Sequence, residues 1–447
     1  MGQICTITCG LGHLSQTIGI KGRKPKECTL KTIRNVVTEY RAHQDEYCAC
    51  WMAERFGGSA FPGLRFAELS FADRELGKPD PHTLYVGVGN AENHPEYGEF
   101  NEHRQYGRLQ GTCAAVMMAQ HLHVLGKPGV KDLLNEVLAS DIEPKTFPTQ
   151  LASLVKMMHR VKKGQGQLET YNWATTAFDA IAFRDADPKA DLREFWKEYC
   201  MNVKVEGRER QTMDKLINTS FSRRNSLVTE LSSIVYRMRP DIVYRWLQET
   251  FDVMVEDARL FQAAVKEVNS EGVIAFDIQT ANGTEPAYFM ISDNEQVGKA
   301  ASSILTGKAT ICVVRSSKGL TQIFSDPFMK LPMSELAALL RMAEYREWTG
   351  KILPYERALG GGTIPECQQW HLPNPNMILN GSLTHPWIKR SRLDMGRIQD
   401  IAYHAFTASG RKIWINRYLH GDNGLQRSVT ESIYLGSIFD REQGRKD

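Results

Sequence analysis

No run of about 18 apolar residues occurs anywhere in the 447-residue chain, which excludes a membrane-spanning helix. The N-terminal stretch MGQICTITCGLGHLSQTIGIKGRK has no basic segment ahead of a long apolar core, so a secretory signal is not expected. Net charge is scarce as well. Lys and Arg number 55 against 52 Asp and Glu, so no global field draws in nucleic acid or a membrane, and any polyanion has to be held locally. There is neither an internal repeat nor a low-complexity tract. The nine cysteines are odd in number and scattered, which argues against a disulfide scaffold. Several lie inside apolar runs, as Cys113 does in GTCAAVMMA and Cys312 in TICVV. Such cysteines behave as small core hydrophobes and point to a reducing cytoplasm. Cys5, Cys9 and His13, with Cys28 further on, have a loose zinc-like spacing and read first as ordinary strand and loop residues.

What is present is the composition of a globular protein, 42% apolar and 24% charged, at a length that suggests two or three domains. VVTEY (36–40) is short and β-branched, a strand. The run YCACWMAERFGG after it reads as a buried helix stopped by Gly57 and Gly58. LRFAELSF and TLYVGVGN (83–90) read as further strands, and TCAAVMMAQHLHVLGKPG as a helix closed by Gly126 with Pro128 beyond. Strand, helix, strand, loop, helix is the pattern of a parallel α/β layer, in which sites collect where strands end and helices begin. From 130 to 268 the pattern is helical. It ends in an apolar stripe of Val243, Leu247, Phe251, Met254, Ala258, Phe261, Val265 and Val268, which predicts one long packed helix. Strands are expected again at 272–278, 286–292, 310–316 and 320–325, with helices in DNEQVGKAASSILTG and MSELAALLRMAEYREWTG. The division expected is an N-terminal α/β domain over 1–165, a helical connector over 166–268 and a smaller C-terminal α/β domain over 269–447.

Between the first strand and its helix stands HQDE. His43 and Asp45, one residue apart at a strand end, can face a single ion, with Glu46 a less certain neighbour. Asp and Glu at a helix start are also favoured by the macrodipole alone, so the same residues serve equally as an ordinary first turn. A second cluster is available from NEHR, where Glu102 offers a carboxylate, His103 an imidazole and Arg104 a phosphate clamp. Asp179 or Asp185 can add a further carboxylate. In the C-terminal part Asn380, Gly381 and Ser382 form either an anion-facing turn, with Arg390 and Arg392 downstream, or a plain turn. GGGT (360–363) reads as a flexible connector. Trp370 and His371 can stack on a base, although a Trp more often belongs to a core.

Taken in order, AHQDEYCAC, YVGVGN, FNEHRQY, FDAIAFRD (178–185), LSSIVYRMRP (231–240) and FDVMVEDARLFQAAVKEVNSEGVIAFDI resemble the DHH phosphoesterases. More narrowly, they resemble the branch named after the melanocyte proliferating gene protein, whose members are similar to metal-dependent 3′–5′ RNA exonucleases. The resemblance runs from about residue 36 to 325. It implies a two-lobed DHH-type fold and a divalent ion, Mn2+ or Mg2+, held by His43, Asp45, His103 and Asp179, with Glu102 as a substitute ligand. It also implies hydrolysis of RNA ends or small nucleotides, with substrate phosphates held in the second lobe. The oligomeric state stays open, a homodimer included. Four departures thin the ligand set. Gly87 stands where the family strand has an aspartate, Asn101-Glu102-His103 replaces Asp-His-His, Thr38 replaces a histidine, and Ala182 replaces a second aspartate. Because Asn binds divalent ions more weakly than carboxylate and Gly not at all, the alternative is a depleted site. Such a protein would bind nucleotide, nucleic acid or a partner without hydrolysis.

Overall fold

The computed structural model describes residues 32–72, 80–88, 94–104, 107–142, 147–163, 165–187, 189–222, 229–303, 309–381 and 388–420, with backbone alone at 103–104, 107–108 and 221–222. The cysteine and histidine group at 5, 9, 13 and 28, and Ser382, lie outside the described residues.

The chain opens with strand β1 (Asn35–Glu39) and helix α1 (Gln44–Phe56). Strands β2 (Glu68–Ala72), β3 (Thr83–Val86) and β4 (Glu99–Phe100) complete a parallel four-stranded sheet in the order β2-β1-β3-β4. A small antiparallel hairpin, β5 (His103–Arg104) and β6 (Gly107–Arg108), follows. From Tyr47 to Ala53 every residue of α1 is buried, which is why YCACWMA carries no polar face: the helix is enclosed all round. LRFAELSF is a strand only in its second half, since Leu64–Phe66 forms a 3-10 turn. The helix expected to close at Gly126 ends earlier: α2 (Ala114–His121) stops short of His123, which is left-handed, and α3 (Pro128–Ile142) starts on its proline beyond that glycine. A proline suits a first helical position because no N–H is wanted there.

Helices α4 (Leu151–Val161), α5 (Gln167–Phe183), α6 (Leu192–Asn202), α7 (Gly207–Ser222), α8 (Leu231–Arg237) and α9 (Pro240–Val268) follow. Six positions of the expected stripe on α9 are buried, while Ala258 and Phe261 are half-buried. One continuous core runs from Ile33 to Val255, so these helices pack with the parallel sheet and enlarge its lobe.

The second lobe holds a mixed seven-stranded sheet. Its strands are β7 (Ile274–Thr280), β8 (Gly283–Ile291), β9 (Ile311–Arg315), β10 (Thr321–Ser325), β11 (Gly362–Ile364), β12 (Cys367–Asn374) and β13 (Met377–Asn380). Their order is β11-β12-β13-β10-β9-β8-β7, with only β8 and β9 parallel. Helices α10 (Val297–Ala301), α11 (Met333–Thr349), α12 (Tyr355–Ala358), α13 (Met395–Ala405) and α14 (Ala408–His420) accompany it. The protein is therefore a two-lobed α/β molecule, and no helix among the described residues is long and apolar enough to cross a membrane.

Arg341 on α11 organises this lobe. It is fully buried and donates to the carbonyls of Trp370, Ala358, Gly360 and Gly362 at 2.6–3.0 Å. Two of those acceptors lie in GGGT, which is accordingly a pinned turn leading into β11 and no loose connector.

Candidate metal centre at the start of the first helix

In the order β2-β1-β3-β4 the chain leaves β1 to one side for β2 and returns on the other for β3. The carboxyl ends of β1 and β3 thus flank a topological switch point, where open α/β sheets gather their ligands. The HQDE turn sits there. His43 is the N-cap of α1, and its own N–H donates to Glu46 Oε2 at 2.7 Å. One oxygen of Glu46 therefore closes the helix start, as the structural reading of HQDE requires. Ligand atoms of His43, Asp45 and Glu46 nevertheless lie within 4.8 Å of one another. His43 is exposed, whereas Asp45 and Glu46 are buried.

A second group shares Asp45. Ligand atoms of Asp45, Cys113 and Asp141 also lie within 4.8 Å of each other. Cys113 caps α2 and Asp141 stands in the last turn of α3, two positions that spacing along the sequence did not mark. Burial pushes the Cys113 thiol well up, reinforced by the charges of Asp45 and Glu102, so Glu102 also adjoins the group. Behind it on α3, Glu136 is fully buried, which raises its carboxyl to about 8 against the opposing influence of Thr229, Gln44 and Arg237. Carboxylates and an imidazole suit Mn2+ or Mg2+, while the thiol is the softer donor that favours zinc.

Gly87 stands where the resemblance leads one to expect an aspartate. It ends β3 in the left-handed region at φ 70°, and a Cβ there would overlap Cγ of Glu46 and stand 3.0 Å from its Oε1. The room for a strand side chain is taken by the Glu46 carboxylate, delivered from α1.

Asp179 is not brought to this cluster. It accepts from Trp51 Nε1 at 2.8 Å and from the Arg55 guanidinium. Arg55 lies in the last turn of α1, ten residues beyond Asp45 and hence roughly 15 Å along the helix. Asp185 is exposed beyond the end of α5. The side chains of His103 and Arg104 lie outside the described part of the structure, although their strand follows directly on Glu102.

In the turn where phosphate binding is expected in the second lobe, Asn380 has a structural task. Its side chain is buried and fully engaged, donating to the carbonyls of Gln369 and Lys389 and accepting from Ser391 N–H at 2.8–3.1 Å. The amide ties two chain segments together and has nothing left for an anion. Gly381 is buried and left-handed at φ 69°, a conformation that a plain turn and an anion-facing one share. Arg390 is exposed, and Arg392 lies over the Trp348 ring at 3.7 Å while donating to Glu347 O. Trp370 is fully buried with its indole N–H on Glu344, and His371 meets the Thr363 hydroxyl at 2.8 Å. Trp370 is core.

What the sequence left unread is the seam between the lobes beside HQDE. Arg41 is a buried, left-handed residue at φ 59°, a conformation costing about 1–2 kcal/mol. Its N–H donates to Gln167 Oε1 and its guanidinium to Glu295, each at 2.8 Å. Next to it His159 Nε2 meets Ala42 O at 2.9 Å, and burial lowers that imidazole to about 4. The His43 turn is thereby anchored to α4, α5 and the second lobe. Arg41 and Glu295 are 254 residues apart, and no local pattern pairs them.

No protein-family model and no curated protein matches the chain. Among solved structures, an uncharacterized protein from Helicobacter pylori G27 is similar at 9% identity, covering 84% of this chain and 99% of that one, with a TM-score of 0.25. A similarity at that TM-score carries no argument about function.

Proposed function

We propose that the protein is a metal-dependent phosphodiesterase of the DHH type, cleaving RNA ends or small nucleotides with Mn2+ or Mg2+. The observation that supports this best is the sharing of Asp45 by two groups of ligand atoms, His43 with Glu46 and Cys113 with Asp141, at a sheet switch point. Divalent ions held there would activate a water and neutralise charge on the phosphoryl oxygens. Of the chain's own groups, Asp45 lies between the two sets. Glu46, which caps α1 through Oε2, places its carboxylate within 4.8 Å of the His43 and Asp45 ligand atoms. Exposed His43 stands at the solvent side, where a substrate enters.

The engagement of Asp179 by Trp51 and Arg55 leaves the cluster one ligand poorer. It favours, as a second reading, nucleotide binding without hydrolysis. The two separate on one pair of measurements. A hydrolase purified with Mn2+ retains stoichiometric metal and releases mononucleotide from short RNA, and both properties disappear in Asp45→Asn. Absence of bound metal after Mn2+-replete purification removes the hydrolase reading.

A further inference from the structure

Helices α1, α2 and α3 pack against one another and bring three metal-binding donors to one point. Asp45 comes from the first turn of α1, Cys113 from the N-cap of α2 and Asp141 from the last turn of α3, and their ligand atoms all lie within 4.8 Å of one another. The Cys113 thiol is free and fully buried, and it takes no part in capping α2. Asp45 is buried as well, whereas Asp141 is half-buried and marks the side open to solvent. The residue before each donor carries buried polar atoms that lack a well-formed hydrogen bond among the described residues: the amide of Gln44, the hydroxyl of Thr112 and the hydroxyl of Ser140. Gln44 is 3% exposed. Both oxygens of Glu136, 1% exposed and one turn before Ser140 on α3, are in the same condition. Buried polar atoms are ordinarily bonded, and four such side chains beside one trio of donors mark a place built to receive a charged guest.

We propose that Asp45, Cys113 and Asp141 hold a thiophilic divalent ion of the zinc class, with the Cys113 sulfur as a direct ligand, beside the harder group of His43, Asp45 and Glu46. Donor chemistry decides the ion. A thiolate selects Zn2+ or Co2+ over Mn2+ and Mg2+, which prefer carboxylate, carbonyl and water oxygens. Sulfur at about 2.3 Å and oxygen at about 2.0 Å from a tetrahedral ion stand roughly 3.5 Å apart. Donors already within 4.8 Å of one another therefore close on it by shifts of about 1 Å. Three protein donors are also the number carried by zinc centres that keep one position open. Two carboxylates and a sulfur this near together, two of the three buried, repel one another as anions and gain from a shared cation. The inference extends the phosphodiesterase reading through their common Asp45, but the ion binds whether or not cleavage follows.

The test is titration of the whole, metal-free protein with Co2+, followed by absorption, and then with Zn2+ in competition. Wild type should develop a sulfur-to-cobalt charge-transfer band in the near ultraviolet that survives excess Mn2+ and disappears as Zn2+ displaces the cobalt. Cys113→Ser should lose the band and weaken Zn2+ binding by about 100-fold, the upper end of what loss of even an outer-shell partner costs, with thermal stability of the metal-free protein retained. Asp141→Asn keeps the sulfur and should weaken Zn2+ binding by about tenfold. His43→Ala should leave the band in place. A wild type that shows no band, or a band that persists in Cys113→Ser, overturns the site. So does unchanged Zn2+ affinity in Asp141→Asn. A Cys113-dependent band in a protein that cleaves no RNA with any ion sustains the site and removes the hydrolase reading, whereas Mn2+-dependent cleavage without the band does the reverse.

Discussion

Gly87 and Glu46 supply a quantitative test of how the acidic cluster is built. Gly87→Ala places a side chain in the left-handed region, at a cost of about 1–2 kcal/mol. The new Cβ overlaps Glu46 Cγ, so the carboxylate has to move and its 2.7 Å bond from His43 N–H is lost. A lost cap contributes about 1 kcal/mol more. The single substitution should therefore cost about 2–3 kcal/mol, read from the urea midpoint at constant slope. Glu46→Ala loses the same cap and should cost about 1 kcal/mol. In the double variant the alanine at 87 meets no carboxylate and the cap is already gone, so the total should match Gly87→Ala alone. The coupling is about 1 kcal/mol, well outside the scatter of roughly 0.3–0.5 kcal/mol seen for independent sites. Calorimetric Mn2+ titration should show both single variants weakened alike, because both remove the Glu46 oxygen from the cluster. Additive stability losses, or full Mn2+ affinity in Gly87→Ala, would refute the placement of Glu46 against the end of β3.

Two more outcomes follow from the same geometry. Asp179→Asn should leave Mn2+ affinity unchanged, since Asp179 serves Trp51 and Arg55. Its effect should be a stability loss of about 1–3 kcal/mol from the weakened acceptor of a buried indole N–H, and a tenfold fall in metal affinity would contradict this. Glu136, raised to about 8 by burial, binds a proton in the folded protein that the unfolded chain releases near its ordinary value of 4.5. Metal-free protein should therefore lose stability as pH rises from about 4.5 to 8 and level off above that. Glu136→Gln should flatten this dependence and be the more stable form at pH 8, as measured by urea denaturation at several pH values.

Local pattern carried much of this molecule. β1, α1, α9, α11 and the four strands β7 to β10 follow directly from residue type and spacing, because burial on one face or on all faces leaves a periodic trace. The short pieces β4, β5, β6 and β11 left none, being two or three residues long and defined only by the partner strand. The early end of α2 at His121, short of Gly126, turned on a left-handed His123 that no residue preference announces. At the site, the HQDE turn was legible because cap chemistry and ligand chemistry use the same residue types. That overlap also left its purpose open.

The sequence by itself determined that a strand would deliver His43, Asp45 and Glu46 to the mouth of a buried helix, since those preferences act within a few residues. Only the tertiary structure decided their company. It brought Cys113 and Asp141 to Asp45, withdrew Asp179 to the far end of α1, closed the Asn380 amide on backbone, and paired Arg41 with Glu295 across the seam between the lobes. The physical reason is that convergence of side chains depends on how whole helices pack. Packing is settled by the summed burial of a core running from Ile33 to Val255, to which no short motif holds the key.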